Sequence, residues 1–280
     1  MKNKILKPIN DLIFKLIFGD DRNIDILASF LRSVLYLPED EYSHLTIVDP
    51  HSRIEKADDK TVVLDVKLHT KSGKIIDIEV QVSDTPQMKD RIVVYTAKML
   101  TEQLGKGDNY KVKKVISIVI TNYKLIAENE TYHNVYHLYD KNTGSKFTDV
   151  LEINTLELPK IPQESDNTEL WDWLKFLKAE REEEFEVLAQ KNPGIHKAFG
   201  VLKELSQDEK TRLLYEAREK ALWDERARLE GAYVKGKSEG KLEGKLEVAT
   251  NLLRKKMSYD AIIELTGLTY AEIEGLAKEV

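Results

Sequence analysis

The stretch from Val62 to Val82, VVLDVKLHTKSGKIIDIEVQV, constrains the fold of this chain more than any other. Two runs rich in Val and Ile flank Lys71-Ser72-Gly73, and three-residue hairpin loops commonly end on a glycine with positive φ. With that loop Thr70 faces Lys74, which sets Lys67 against Asp77 and Asp65 against Glu79. Leu64 then meets Val80, Val66 meets Ile78 and Leu68 meets Ile76. One face is apolar throughout, and the other carries Asp65, Lys67, Asp77, Glu79 and Gln81. A slip of one residue would mix the two faces, so the alternation fixes the register.

Two carboxylates directly opposite one another destabilise a strand pair. A divalent cation between them removes that penalty. Mg²⁺ takes carboxylate oxygens at about 2.0–2.1 Å and keeps several waters, one of which can become a nucleophile. The alternative is an ordinary amphipathic hairpin with a solvated, charged face. The hairpin alone leaves both open.

Around it the sequence predicts an alternation of helices and strands. A short helix with an apolar stripe at Leu12, Ile13, Leu16 and Ile17 opens near Pro8 and ends at Gly19. A second runs from about Asn23 to Leu35 and stops before Pro38. Leu45–Val48 is a short strand candidate, and 86–104 is helical. Lys111–Thr121 is a strand apolar enough to be buried on both faces. Tyr132–Tyr139 and Phe147–Leu156 flank the turn Asn142-Thr143-Gly144. Beyond Pro159 and Pro162 the pattern is helical, including the four-residue repeat GKSEGKLEGKLE at Gly236–Glu247, best read as a solvated connector. The tail has two short helices joined at Thr266-Gly267-Leu268, with a capping-box signature at Thr269-Tyr270-Ala271-Glu272. This gives three expected parts: a core at 1–160, a helical region at 161–235, and the repeat with a helix-turn-helix-like tail at 236–280. The second tail helix carries Glu272 and Glu274, so contact with protein is at least as well supported as DNA reading.

Composition narrows the chemistry. The 280 residues include no cysteine, which excludes thiol catalysis, disulfides and cysteine-ligated metals. No HExxH zinc motif occurs, and no glycine-rich phosphate loop follows a strand. The apolar runs are too short to span a bilayer, and Asp11 interrupts the first apolar stretch, so a cytoplasmic protein without membrane contact is expected. A net charge of −6 argues against a nucleic-acid partner until it is divided. Residues 1–125 hold 20 Lys+Arg and 18 Asp+Glu, so the acidity belongs to the second half.

Several stretches together resemble the recombination-promoting nuclease/transposase proteins of bacteria, a branch of the PD-(D/E)XK nuclease superfamily. They are Asp11-Leu12-Ile13-Phe14-Lys15 through Gly19, Leu64-Asp65-Val66, Ile78-Glu79-Val80-Gln81, Arg91 with Tyr95 followed by the Gln103–Tyr110 region, the EGKLEG repeats and Ile263-Glu264-Leu265-Thr266-Gly267-Leu268. The resemblance implies an α/β restriction-endonuclease-like core, a mixed central sheet flanked by helices, with an all-helical C-terminal region. It implies a Mg²⁺-dependent DNA endonuclease of low sequence specificity that promotes recombination or mobile-element movement. Asp65 and Glu79 would hold the metal, Asp11 would approach it from the first helix, and Gln81 stands where the superfamily has lysine. A glutamine amide can orient water or contact phosphate but carries no charge. Lys67 and Lys98 are candidates for that charge, and Arg91 and Tyr95 for substrate contact. For Lys67 a cross-strand ion pair with Asp77 is the favoured reading. A homodimer is expected, because cutting both strands usually needs two sites and twofold pairs are the commonest assembly. Two rivals stand beside the enzyme: a catalytically weak or inactive DNA- or protein-binding module on the same fold, and a self-assembling scaffold.

Overall fold

The computed structural model describes residues 4–48, 66–105, 107 and 109–278. The Asn10 side chain accepts hydrogen bonds from the N–H groups of Leu12 and Ile13, and so caps α1, Asp11–Phe18. The helix therefore opens after Pro8, where a side chain satisfies its free donors. It ends at Gly19, where a Cβ would stand 2.7 Å from the Lys15 carbonyl oxygen. A second helix, α2, follows at Ile24–Val34.

The sheet contains β1 (Thr46–Ile47), β2 (Val66–His69), β3 (Ile75–Gln81), β4 (Val115–Thr121), β5 (His133–Tyr139) and β6 (Lys146–Glu157), in the order β1-β2-β3-β4-β6-β5. β4 lies parallel to both β3 and β6, and the other pairs are antiparallel. Val66 faces Ile78, Lys67 faces Asp77 and Leu68 faces Ile76, the register that the alternation predicts. Gly73 has φ +82°, and the Thr70 N–H donates to the Lys74 carbonyl across the loop. The Asp65–Glu79 pair at the heart of that prediction lies outside the described residues.

Two layers of helix cover the sheet. On one face Ile76, Ile78, Ile116, Ile118 and Ile120 join α1 and α2 in the main core. On the other lies α3, Met88–Thr101, whose Met88 and Ile92 pack on Val119 and Ile153 and whose Met99 packs on Ile75 and Val115. β4 is buried along its whole length between these layers, as its unbroken apolar sequence requires.

Three more helices, α4 (Glu169–Lys178), α5 (Glu182–Lys191) and α6 (Pro193–Gln207), belong to the same main core. The Trp173 ring lies 5.6 Å from Phe18 and 5.8 Å from Phe30, and Phe176 lies 5.4 Å from Phe185. Such tilted and edge-on pairs add to the large apolar area these rings bury. Residue 160, where composition alone drew a boundary, therefore falls inside a compact unit that extends to Glu219. Glu157 and Lys160 bridge that point as a fully buried ion pair of 2.9 Å. Glu157 also accepts from the Leu125 and Ile126 N–H groups, which fastens the segment that follows β4.

Helix α7 runs from Glu209 to Arg254. The second compact unit spans Lys220–Val280. In it Ala249, near the end of α7, packs with Ile262 of α8 (Tyr259–Thr266), Leu268, and Ile273 of α9 (Tyr270–Ala277). Gly267 takes the left-handed conformation at the end of α8, and Thr269 with Glu272 forms the capping box of α9. Every residue from 223 to 244, the repeat's glycines included, is exposed.

Candidate active site

Glu79 and Gln81 lie near the C-terminal end of β3, on the face that α3 covers. Glu79 is 7% exposed. The Arg91 guanidinium donates to its Oε1 at 2.8 Å, and the Gln81 amide donates to the same oxygen. Oε2 receives no donor among the described residues. Burial pushes the Glu79 carboxyl above the usual carboxylate range, with Arg91 and Gln81 opposing the rise. Asp77, two residues earlier on the same face, is raised to about 6 by burial and then by the charge of Glu79. Two crowded, partly desolvated carboxylates with an oxygen to spare make a hard, anionic donor set, and this chemistry fits a divalent cation. Among the described residues no three His, Asp or Glu side chains form a metal cluster. Asp65, which would supply the facing carboxylate, falls outside them.

The first turns of α3 bring the next group together. Residues spaced three and four apart share a helix face, so Arg91, Tyr95 and Lys98 form a stripe beside the buried Met88, Ile92, Thr96 and Met99. Arg91 lies over the Tyr95 ring, 5.3 Å from its centroid. Lys98 Nζ stands 3.7 Å from Glu102, and Lys67 Nζ approaches the same carboxylate at 3.9 Å. Lys67 is thus directly opposite Asp77 in register, but its ion pair within reach is with Glu102. The expected Lys67–Asp77 pair is corrected accordingly. The charge of Lys67 still lowers the Asp77 pKa from across the strands.

Asp11 goes elsewhere. Its carboxylate is bonded by Arg218 of α7, whose Nε lies 3.0 and 2.9 Å from the two oxygens. Its neighbour Asn10 donates to Glu219 at 2.8 Å. The expectation that Asp11 turns toward a metal is not what the side chain does here, since a guanidinium 207 residues away in sequence takes both its oxygens.

Two participants were not visible in the sequence pattern. Tyr123 follows β4, beside the end of β3: Thr121 pairs with Gln81, and the Asn122 N–H donates to the Gln81 carbonyl. Its hydroxyl is shut off from solvent with no hydrogen-bond partner among the described residues. Burial, followed by the charges of Asp84 and Glu79, raises its pKa well above the ordinary phenol value. The available signal was positional, since sites in α/β sheets gather beyond the carboxyl ends of parallel strands. Glu41 is the other. It accepts from Thr70 Oγ1 at 2.6 Å, from Ser72 Oγ at 2.9 Å and from Lys74, and so clamps the hairpin loop.

A mixed sheet between helical layers, with a buried carboxylate and an amide two residues apart near the end of one strand, is an α/β fold of the PD-(D/E)XK type. The sequence profile of the PD-(D/E)XK nuclease family transposases matches residues 8–232, and the chain belongs to that family. Membership points to a nuclease-type function. No curated protein and no solved structure matches the chain. No helix among the described residues is long and apolar enough to cross a membrane.

Proposed function

We propose that the chain is a divalent-metal-dependent, in practice Mg²⁺-dependent, DNA endonuclease of low sequence specificity that serves recombination or mobile-element movement. The observation that carries this reading is Glu79: a buried carboxylate with one oxygen bonded by Arg91 and Gln81 and the other without a donor among the described residues. Glu79 and Asp65 would hold the cation, which when bound polarises a phosphodiester and eases ionisation of water. The Gln81 amide can orient that water or a phosphate oxygen. Arg91, Tyr95 and Lys98, on the exposed side of α3, suit a sugar–phosphate backbone. Such contacts position a duplex without reading its sequence. Asp11, held by Arg218, has no part in this account.

The test is nicking of supercoiled plasmid in Mg²⁺, against EDTA, by the wild type and by Asp65→Ala and Glu79→Ala. Cleavage by the wild type and its loss in both variants is expected. Undiminished cleavage in the variants would overturn the site. A second reading, a DNA-binding module that does not cut, draws on the same geometry, because Arg91 already neutralises Glu79. It prevails if the wild type binds DNA yet cuts none of its forms. We also propose that the active species is a homodimer; sedimentation of an active preparation as a monomer that still makes double-strand breaks in one encounter would refute this.

A further inference from the structure

Away from the carboxylates, helices α4 and α5 enclose a groove of about 610 Å³. Its apolar side is Trp171, Ala179, Val187 and Leu188, and its cationic side is Lys175, Lys178 and Lys191, with Arg181 at the edge. The Lys175 ammonium lies 4.9 Å from the centre of the Trp171 ring and that of Lys191 lies 6.0 Å from it. The indole is itself buried and its N–H donates to the Pro162 carbonyl, so the ring is a fixed platform for two cations.

The acids along this groove are mostly committed. Glu180 pairs with Lys7 at 2.5 Å. Glu184 pairs with Arg181 at 3.0 Å and accepts from the backbone N–H groups of Glu180 and Arg181. Lys178 donates to the Leu158 carbonyl, and no carboxylate comes within ion-pair distance of Lys175, Lys178 or Lys191 among the described residues. Of the lining acids, Glu183 alone has no ion-pair partner among the described residues. Asp172 acts on Lys191 and Glu184 on Lys175 only from beyond ion-pair distance; ammonium groups crowded together in this way repel one another, and a multivalent anion relieves the repulsion by binding. Burial and the neighbouring Lys178 lower the pKa of Lys175, as expected of crowded ammonium groups.

We propose that the α4–α5 groove is a binding site for a compact phosphate-bearing anion, held by Lys175, Lys178 and Lys191 above Trp171. The ligand chemistry is a chain or terminus of phosphate groups, whether free polyphosphate or the terminal phosphate of a nucleic-acid strand. The proposal does not depend on the nuclease reading, since none of these residues belongs to that site.

The experiment is calorimetric titration of the full-length protein with inorganic tripolyphosphate in metal-free buffer. Arms at matched ionic strength use sodium sulfate, a 5′-phosphorylated single-stranded oligonucleotide, and the same oligonucleotide without its phosphate. The variants are Lys175→Gln/Lys191→Gln and, as a control on an exposed turn, Lys141→Gln. Saturable binding with one equivalent is expected, weakened about tenfold or more in the double variant and unchanged in Lys141→Gln. Competition by the phosphorylated oligonucleotide alone names a strand terminus as the source; its failure to compete names free polyphosphate. Circular dichroism of the double variant, which alters only partly and fully exposed side chains, must match the wild type. Absence of saturable tripolyphosphate binding, equal binding by sulfate, or equal affinity in the double variant would each overturn the proposal.

Discussion

Replacing Glu41 by Gln removes the charge that fastens the loop of the β2–β3 hairpin while keeping the shape of the side chain. Glu41 is 7% exposed. Burial opposes its ionisation, but bonds from Lys74, Thr70 and Ser72 outweigh that and hold its pKa at about 2, against an ordinary 4.5. A depression of roughly 2.5 units at about 1.36 kcal/mol each corresponds to about 3 kcal/mol of stability at pH 7. Because the folded pKa is the lower one, that stability is complete above pH 4.5 and is lost as pH falls toward 2. Linkage puts the contribution at about 1.4 kcal/mol by pH 3. Urea unfolding of wild type and Glu41→Gln, followed by circular dichroism at pH 7, 5, 4 and 3, measures the difference directly. The expected gap is about 2–3 kcal/mol at pH 7, since the amide keeps part of the hydrogen bonding, and it narrows by more than half at pH 3. A gap that stays constant with pH would mean that the carboxylate's charge contributes nothing, and would refute the clamp.

Lys160→Met leaves Glu157 buried without its cation and is expected to cost about 3 kcal/mol in urea unfolding at pH 7; a loss below about 1 kcal/mol would show that the two backbone N–H donors suffice for Glu157. Tyr123→Phe deletes a buried hydroxyl that has no partner among the described residues, so stability should hold or rise by up to about 1 kcal/mol. A drop of that size would reveal a hydrogen bond from that hydroxyl. Arg91→Ala removes the more exposed partner of a buried carboxylate, so the unfolding free energy should fall by about 1–3 kcal/mol. The nicking rate should fall about tenfold or more, and an unchanged rate would remove Arg91 from the site.

The hairpin register was readable because every link in it is local. Strand period, one glycine in the left-handed region and the two-residue spacing of Asp77, Glu79 and Gln81 determine it together. The same holds for the capping box at Thr269 and for Gly267. Contacts across long sequence separations were not readable. Arg218 binds Asp11, Glu41 reaches the hairpin loop, and Glu102 rather than Asp77 takes the Lys67 ammonium, because each depends on how helices lie against the sheet. The prolines at 159 and 162 mark a turn, but not the end of the core. Trp173, Phe176 and Phe185 look like the apolar stripe of any amphipathic helix until Phe18 of α1, Phe30 of α2 and Phe199 of α6 supply their partners. Tyr123 carries no motif, and only its position after a parallel strand connects it to Glu79.

The central claim is that the end of β3 presents carboxylate oxygen to a divalent cation. The most direct test is calorimetric titration of Mg²⁺, with Mn²⁺ as a second probe, into wild type and Glu79→Gln, an isosteric change that leaves the bonding to Arg91 and Gln81 as the main alteration. A saturable site in the wild type that is lost in Glu79→Gln, with matching unfolding midpoints, is the predicted result. Equal cation binding by both proteins would contradict the claim.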